Sequence, residues 1–391
     1  MISSRLIVLT VLGGVMLTGS LPAVEIIAHR GAMMLAPENT LASQRLAYEL
    51  GADYVEVDVR LTRDNIPVNM HDHDLERTTD GTGQLASLTL QQLKQLDAGS
   101  WFSPQFAGER VPTIAEVLEL AKQYNRKVLL HIHGAFMAPE VVAVIHQSGI
   151  AQSQLAFLTG WAEMAEGYTR RLPGVKMLRT PAVLATGAPI AANQLTGADL
   201  ASLRLQKTTT LHFGSGSIFR QDVDRIHAAG FSIAAIYLPP AAIFYYQDLG
   251  IDYFWTDYTD VTTSALNRLN QQWNEWADGA GIAPDQRHTW RDVDGDGMNN
   301  LMEYSLGTDP LAPDAWSPAL NPAAGTIGWT VNLRENWSQF VTIGAQSNYG
   351  TGAWSNLPSN SFTALTPTRL EFRAPVTPGK KFFRMKFDLP P

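Results

Sequence analysis

The sequence predicts an α/β protein whose largest part is a (β/α)8 barrel. From residue 25 to about residue 274, short apolar runs alternate with segments long enough to form helices, which is typical of parallel strands joined by crossover helices. The 391 residues are enough for one barrel of about 250 residues and a smaller part. A doubly wound open sheet would give the same alternation, so the pattern leaves both architectures open.

Eight apolar runs are the predicted strands. They lie at 26–28, 54–59, 128–132, 155–158, 175–178, 203–205, 231–237 and 253–255. The segments between most of them are long enough for helices. In the clearest one, Thr113 and Glu116 form a capping box, and apolar residues then recur at helical spacing as far as residue 123.

Residues 1–24 predict a signal peptide. Arg5 provides a positive start, an apolar run fills 6–19, and the small residues Ser20 and Ala23 follow it. The run is shorter than the roughly 20 residues that a membrane-spanning helix needs, although a retained membrane anchor is the alternative. No second stretch is long and apolar enough to span. We therefore expect a secreted or periplasmic protein without a stable membrane span.

Composition excludes several classes of function. The formal net charge of −8 argues against a nucleic-acid partner bound through a broad basic surface, because such binding depends on neutralising phosphates. The chain has no cysteine. Disulfides, thiolate zinc sites, cysteine nucleophiles and a lipoprotein anchor are therefore excluded.

Two carboxylates on the second predicted strand indicate a cation site. Strand side chains alternate between faces, so Glu56 and Asp58 project to one side and the valines between and beside them to the other. In a barrel the valines would face the helices and the carboxylates the interior. Buried like charges this close are costly unless a cation or a proton compensates them. A divalent metal with oxygen ligands would do so, and structural carboxylates bonded to backbone or arginine are the alternative.

Two histidine motifs follow predicted strands. His29, Arg30 and Gly31 come directly after the first run, at the barrel end where active sites lie. Arg30 offers a planar fork suited to phosphate. His71 begins the sequence His-Asp-His-Asp and could pair with His29 as acid and base.

These residues belong to a longer series of motifs that resembles the glycerophosphodiester phosphodiesterase family. The series is His-Arg-Gly at 29–31, Pro-Glu-Asn-Thr at 37–40, Gly-Ala-Asp-Tyr-Val-Glu-Val-Asp-Val at 51–59, Thr-Arg-Asp at 62–64, Pro-Val at 67–68, His-Asp at 71–72, Leu-Glu-Arg-Thr-Thr-Asp-Gly-Thr-Gly at 75–83, Leu-Asp-Ala-Gly-Ser-Trp-Phe at 96–102, Gly-Glu-Arg-Val-Pro-Thr at 108–113 and Gly-Ile-Asp-Tyr-Phe-Trp-Thr-Asp at 250–257. The match is dense from residue 25 to about 133. The resemblance implies a TIM barrel with a small insertion after strand 2, at roughly 61–110.

The resemblance also implies the roles of the catalytic residues. His29 and His71 match the acid and base of the family, and Arg30 matches its phosphate-binding arginine. The implied reaction is metal-assisted phosphoryl transfer, in which one histidine activates the nucleophile and the other protonates the leaving alkoxide. The nucleophile is water or a neighbouring hydroxyl of the substrate, which would give a phosphomonoester or a cyclic phosphate respectively.

The same resemblance implies one divalent cation, usually calcium or magnesium. Glu56 and Asp58 match two of its carboxylate ligands, and Glu38 matches the glutamate of the Glu-Asn-Thr signature near the metal. Asn39 is expected to cap the following helix.

The chain departs from the family at the third strand. His133 stands at the position that we align with a glutamate ligand, and Ala135 at that of a phosphate-binding lysine. His131 shares a strand face with His133, so either imidazole could enter the metal site, which would then favour manganese or zinc. Arg179 is a candidate replacement for the lysine by position. The departures keep open a catalytically impaired barrel that binds a phosphate or sugar ligand.

A second metal motif follows the barrel. The twelve residues 292–303 fit the calcium loop at its diagnostic positions, with a glycine at position six. The expected ligands are Asp292, Asp294, Asp296, the carbonyl of Met298, Asn300 and Glu303. The loop resembles the EF-hand-like loops of dockerins and thrombospondin type 3 repeats, and we expect a structural calcium there.

The sequence therefore predicts four regions. These are a signal peptide at 1–24, the barrel at 25–274, a calcium-loop linker at 275–315 and a small all-β, sandwich-like module at 316–391. We expect an exported, metal-dependent phosphodiesterase that hydrolyses glycerophosphodiesters or related lipid-derived diesters, with a small molecule as its substrate. A surface or carbohydrate contact is expected of the C-terminal module.

Overall fold

The fold is that of a computed structural model of the chain. It describes residues 24–388 except the following: 134–137, 161, 182–189, 215–217, 237–242, 284–285, 289–290, 292, 295–299, 301–302, 305–308, 313–318, 322–325, 333–341, 349–353, 357–361, 367–368 and 376–381. The predicted signal peptide, Ala135, and the calcium-loop positions Asp292, Asp296 and Met298 lie outside the described residues.

Nine strands form the sheet of the first part of the chain. They are β1 (Glu25–Ala28), β2 (Tyr54–Leu61), β3 (Pro67–Asn69), β4 (Lys127–Ile132), β5 (Leu155–Leu158), β6 (Lys176–Arg179), β7 (Thr210–Gly214), β8 (Ser232–Ile236) and β9 (Tyr253–Thr256). All except β3 run parallel, and β3 pairs antiparallel with β2. Because β1 pairs with both β2 and β9, the sheet closes on itself, and the open-sheet alternative is wrong. The chain forms an eight-stranded parallel barrel.

Helices follow the strands along the chain. They are α1 (Leu41–Glu49), α2 (Leu90–Leu93), α3 (Ile114–Gln123), α4 (Ala138–Ser148), α5 (Ala162–Arg171), α6 (Gly197–Leu205), α7 (Arg220–Ala228), α8 (Ile243–Asp248) and α9 (Thr259–Gly279). The capping box of Thr113 and Glu116 at the start of α3 is confirmed. Thr40, not Asn39, caps α1, since its hydroxyl accepts a hydrogen bond from the Ser43 N–H. None of the described helices combines the length and apolar character needed to cross a membrane.

One predicted strand is wrong. The run 203–205 ends helix α6, and the strand in this part of the barrel is β7, at Thr210–Gly214. Leu200 and Leu203 are buried three residues apart, whereas Leu205 is 81% exposed. This is the spacing of a helix that buries one face, and a run of three residues is too short to show it.

The barrel strands bury both faces. The valines of β2 pack outward in the large cluster shared with the helices, as predicted. Interior apolar side chains form a second cluster: Ile27, Tyr54, Leu129, Ala156, Leu158, Leu178, Ala234, Tyr253 and Trp255. Tyr54 shares its face with Glu56 and Asp58 by alternation. The two carboxylates therefore continue the interior row toward the carboxyl ends of the strands.

The segment between β3 and α3 has a small core of its own. Its buried side chains are Val68, Met70, Leu75, Leu85, Leu93, Ala98 and Val111. This core holds the segment beside β2 and β3, and it therefore places His71 and the residues that follow near the end of β2.

The chain after α9 folds back on that helix. Tyr304 lies with its ring centroid 5.5 Å from that of Trp273 and 5.3 Å from that of Trp276. Trp273 is fully buried and its indole N–H donates to the Arg287 carbonyl at 3.0 Å. Burial of this aromatic cluster contributes to holding the segment against α9.

The last part of the described chain consists of antiparallel strands. They are β10 (Ala319–Asn321), β11 (Thr326–Asn332), β12 (Thr342–Asn348), β13 (Trp354–Asn356), β14 (Phe362–Thr366), β15 (Arg369–Pro375) and β16 (Phe382–Asp388). One sheet has the order β10-β11-β15-β14 and another the order β13-β12-β16.

Candidate active site

The polar side chains singled out in the sequence meet at the carboxyl ends of β1, β2 and β4. The His29 N–H donates to the Thr256 carbonyl, which joins the end of β1 to β9. Asp58 is the register partner of His131 across β2 and β4. Parallel strands bring their carboxyl ends to one edge, and here that edge is the barrel mouth.

Glu56 and Asp58 are completely buried at this mouth. The Arg30 N–H donates to Glu56 Oε2 at 3.0 Å, and the Asn39 side-chain amide donates to Asp58 Oδ2 at 2.8 Å. Burial alone would raise the pKa of Asp58, but hydrogen bonds from His131 and His133 hold it well below its usual range. The Asp58 carboxylate is therefore charged.

His131 spans both carboxylates. Its Nδ1 lies 3.2 Å from Glu56 Oε1 and 3.4 Å from Asp58 Oδ1. Burial lowers the pKa of His131, but the bonds and charges of Asp58 and Glu56 outweigh it and raise that pKa to about 9. A protonated imidazole thus compensates the paired carboxylates.

His133 has a different place from His131. Its Nε2 lies 2.5 Å from Asp58 Oδ1, and its ring stacks edge to face with His71 at a centroid distance of 5.2 Å. Burial, followed by the charge of His131, lowers the pKa of His133 despite its bond to Asp58. Of the two imidazoles, His131 is the one that contacts both carboxylates, whereas the sequence argument gave His133 the ligand position.

Two groups of side chains have donor atoms close enough to hold a metal ion. One is Glu56, Asp58 and His131; the other is Asp58, His71 and His133, and within each group the donor atoms lie within 4.8 Å of one another. Asp58 belongs to both. Asp58 is therefore the ligand that the two candidate metal sites share.

Each of the two expected catalytic histidines is oriented by an aspartate. His29 Nδ1 lies 2.6 Å from Asp257 Oδ1, and His71 Nδ1 lies 2.7 Å from Asp72 Oδ1. Burial lowers the pKa of His29, but the bond to Asp257 and the charge of Glu56 give a net increase. The sequence analysis missed the role of Asp257, although that residue closes the 250–257 motif.

Glu38 is not among the metal-capable groups; arginines bind it instead. Arg77 donates to both of its oxygens, at 2.7 and 2.9 Å, and Arg30 donates to Oε1 at 2.9 Å. The bonds to Arg77 and the charge of Arg30 outweigh burial and lower the pKa of Glu38. Both Glu38 oxygens thus accept hydrogen bonds from arginines, and the metal role of Glu38 stays a prediction. Arg77 was not singled out in the sequence.

Arg30 has an unusual backbone conformation. Its φ is +53°, and that of Gly31 is +84°, so both residues lie in the left-handed region. A side chain at Gly31 would meet Ser43 Oγ at 2.3 Å and the Ser43 carbonyl carbon at 2.8 Å. The turn thereby directs the Arg30 N–H to Glu56 and brings its Nε to 3.4 Å from Asp58 Oδ2.

The hydrogen bonds of Arg179 are to residues outside this cluster. Its guanidinium donates to the Gln206 side chain and, at 3.0 Å, to the Gly160 carbonyl. His212 of β7, which the sequence analysis did not single out, lies beside the mouth instead, with its ring 5.5 Å from that of Trp255. Burial lowers the pKa of His212 to about 4.

The described part of the calcium loop lies outside the barrel mouth. Asn300 and Glu303 are completely buried. The Asn300 amide donates to the carbonyls of Gln286 and His288, at 2.6 and 2.8 Å. Its Oδ1 is buried and meets no hydrogen-bond donor within the described residues.

A closed parallel barrel with paired carboxylates and oriented histidines at its mouth is typical of barrel enzymes that use acid–base chemistry. The comparisons with known proteins give the family. The model of the Glycerophosphoryl diester phosphodiesterase family matches residues 29–260, which is more than half of the chain. The chain belongs to this family.

Individual relatives agree with this assignment. A Caldanaerobacter subterraneus protein named Glycerophosphodiester phosphodiesterase is 52% identical over 95 residues, which cover 24% of this chain and 39% of the relative. Human Glycerophosphodiester phosphodiesterase 1 is 42% identical over 113 residues, which cover 28% of this chain and 34% of the relative. The matched part is thus less than two thirds of the length of these relatives.

A solved structure matches more of the barrel. It is that of an Oleispira antarctica phosphodiesterase in complex with the product sn-glycerol-3-phosphate, with 30% sequence identity and a TM-score of 0.55. The match covers 62% of this chain and 96% of that chain.

Proposed function

We propose that the chain is an exported, metal-dependent phosphodiesterase that hydrolyses glycerophosphodiesters to an alcohol and a phosphomonoester. The observation that supports the proposal is the surroundings of the buried carboxylates Glu56 and Asp58. A donor atom of His71 lies within 4.8 Å of one of Asp58, and His29 precedes Arg30, whose N–H donates to Glu56. Family membership and the glycerol phosphate bound by the Oleispira relative support the substrate class.

The donor set at the mouth fits a divalent cation. Two fully buried carboxylates are compensated by the protonated ring of His131, whose pKa is about 9. A divalent ion in place of that proton would compensate both negative charges. Glu56, Asp58 and His131 would hold it, with His133 as a further imidazole ligand. Calcium and magnesium suit the carboxylates, and manganese or zinc suits a site with imidazole.

The protein side chains have separate roles around the phosphate. When bound, the cation supplies positive charge that stabilises the negative charge of the phosphate. Arg30 adds a planar donor on the same side. Asp257 and Asp72 fix the rings of His29 and His71 through Nδ1, so that the Nε2 atoms are the ones that exchange protons with the substrate.

Hydrolysis then needs one base and one acid. One histidine accepts a proton from the attacking water as its oxygen bonds to phosphorus. The other donates a proton to the alkoxide as the bond between phosphorus and the alcohol oxygen breaks. With water as the nucleophile, the second product is the phosphomonoester.

The test is a hydrolysis assay with a metal panel. Purified protein is treated with EDTA, supplied with Ca²⁺, Mg²⁺, Mn²⁺ or Zn²⁺, and assayed on glycerophosphoethanolamine with phosphorus NMR. We expect activity with at least one metal, and a loss of about 10²–10⁴-fold in His29→Ala and His71→Ala. His146→Ala, on the exposed face of α4, is the matched control. Full activity in EDTA would contradict the metal requirement.

A catalytically impaired barrel remains the second candidate because imidazoles stand where a carboxylate ligand was expected. Under that alternative, the protein would bind inorganic phosphate or glycerol 3-phosphate in calorimetry, yet hydrolyse no diester with any metal. Hydrolysis that disappears in His71→Ala would exclude it.

We also infer that residues 1–24 direct export and are removed. When the full chain is expressed in a bacterium, the protein should leave the cytoplasm with a new N-terminus near Glu25. Mass spectrometry of the periplasm and medium measures this. An intact Met1 on protein held in the membrane would favour the retained anchor.

We further propose that the loop 292–303 binds a structural calcium. Its support is the sequence pattern, together with the complete burial of Asn300 and Glu303 at the ninth and twelfth positions of the loop. Tyr304 ties the end of the loop to Trp273 of α9. Calcium would therefore stabilise the junction after the barrel.

Calcium binding here is measured apart from the barrel metal. In a Glu56→Gln background, which disables the barrel site, added Ca²⁺ should raise the melting temperature relative to EGTA, because a ligand that binds only the folded state stabilises it. Adding Glu303→Gln should remove the increase. An unchanged melting temperature in the Glu56→Gln protein would refute the loop site.

A further inference from the structure

A pocket of about 210 Å³ opens beside the barrel mouth. We call it the Arg60 pocket. It is lined by Arg60, Leu61, His73, Gln84, Leu85, Ala86 and His133. His133 also belongs to a metal-capable group and its ring contacts His71. The pocket is therefore continuous with the place where the phosphate would lie.

Arg60 is the side chain with a permanent charge among the seven that line this pocket. Its Nε donates to the His71 carbonyl at 2.7 Å, and Nη2 donates to the same oxygen. Nη1 lies 3.1 Å from His73 Nδ1. The guanidinium has five N–H groups, so these bonds fix its plane and leave donors for a ligand.

The carboxylates nearest Arg60 already have other partners. Asp58 accepts from the Asn39 amide and bonds to His133. Asp72 accepts from Arg77 and bonds to His71. Arg60 is thus not the main partner of either carboxylate, and its positive charge faces the pocket.

The other walls fit an anionic group and not a quaternary ammonium. Leu61, Leu85 and Ala86 are apolar, and Gln84 is neutral. The lining contains neither a carboxylate nor a phenylalanine, tyrosine or tryptophan ring. Quaternary ammonium groups are recognised over such rings, whereas a guanidinium fork matches a carboxylate or phosphate.

We propose that the Arg60 pocket binds the alcohol part of the diester and selects head groups that carry an anionic group, such as the carboxylate of serine. The proposal rests on the proposed function and names the substrate class of the same site. A volume of about 210 Å³ has room for a head group of about seven heavy atoms at roughly 30 Å³ each. The alcohol bound beside Arg60 would be the leaving group of the reaction, and it would depart on the side of His71.

The test compares two substrates that differ by one carboxylate. These are glycerophosphoserine and glycerophosphoethanolamine, with glycerophosphocholine as the third. We expect kcat/KM for the serine diester to exceed that for the ethanolamine diester by about tenfold, since a half-exposed charge-assisted pair is worth roughly one factor of ten. Arg60→Gln should bring the ratio close to one. The ratio is the readout because Arg60 also holds the His71 backbone, so this variant lowers all rates.

A second variant changes another residue that lines the pocket. Gln84→Glu has nearly the same shape and adds a negative charge to the same lining as Arg60, so the serine-to-ethanolamine ratio should fall severalfold. Gln91→Glu changes an exposed position of α2 outside the pocket. It adds the same net charge and should leave the ratio unchanged. Melting curves confirm that each variant is folded.

The outcomes separate this inference from the proposed function. Hydrolysis of all three diesters at equal efficiency, or best with choline, would overturn the inference and leave the phosphodiesterase intact. An unchanged ratio in Arg60→Gln or in Gln84→Glu would do the same. Hydrolysis of none of them with any metal would refute the proposed function and this inference with it.

Discussion

Replacing Glu38 with glutamine tests whether this residue binds a metal or positions arginines. The carboxylate is buried and accepts two hydrogen bonds from Arg77 and one from Arg30. Glutamine keeps the shape, but its amide would point N–H groups at a guanidinium. Arg30 would then lose the contact that holds it beside Asp58.

The size of the effect follows from the exposure of the partners. Breaking a fully buried ion pair costs about 3–5 kcal/mol. Arg77 is 45% exposed and Arg30 15% exposed, so solvent screens part of the loss. We expect the free energy of unfolding to fall by about 3 kcal/mol, or the melting temperature by roughly 6–12 °C. Glu119→Gln removes an exposed ion pair of α3 and should cost far less, because solvent screens that pair.

The pH dependence of this loss has a defined sign. The pKa of Glu38 is lower in the folded protein than its ordinary value of 4.5. Its contribution to stability is therefore present above that value and is lost as the pH falls through the folded pKa. The difference between wild type and Glu38→Gln should be constant at neutral pH and shrink on acidification below about 4.5.

Urea unfolding, metal titration and kinetics together test the role. We expect metal affinity to change less than about threefold in Glu38→Gln, while Glu56→Gln loses it, and KM to rise because Arg30 is no longer held. A loss of metal affinity in Glu38→Gln as large as that in Glu56→Gln would show that Glu38 holds the metal and would refute the argument.

Two further predictions follow from the mouth. Gly31→Ala should destabilise the protein by about 3 kcal/mol or more, because it adds left-handed strain of roughly 1–2 kcal/mol to the clash with Ser43. Gly83→Ala is the control, since Gly83 has φ +88° with open space around it and should cost the strain alone. Equal losses of unfolding free energy in urea would contradict the clash. In metal-free protein, the raised pKa of His131, about 9, gives stability that is complete below about pH 6.5 and is lost as the pH rises through 9. The loss is on the order of 3 kcal/mol. A wild-type curve as flat as that of His131→Gln between these pH values would rule this out.

The sequence could predict the features that depend on neighbours along the chain. The alternation of β2 was enough to place Glu56 and Asp58 in the barrel interior, because successive strand residues face opposite sides. The capping box of α3 was visible for the same reason, since its two residues are three positions apart. Local periodicity failed only where the signal was short, as in the run 203–205, which belongs to helix α6.

The pairings within the site were decided by tertiary structure alone. His29 and its partner Asp257 are 228 positions apart, and Arg77 reaches Glu38 across 39 positions. No short-range pattern encodes such contacts; they arise when barrel closure brings strand ends together. The sequence thus supplied the residue types of the mouth, whereas closure of the barrel decided that Glu38 binds arginines and that His131 spans the two carboxylates.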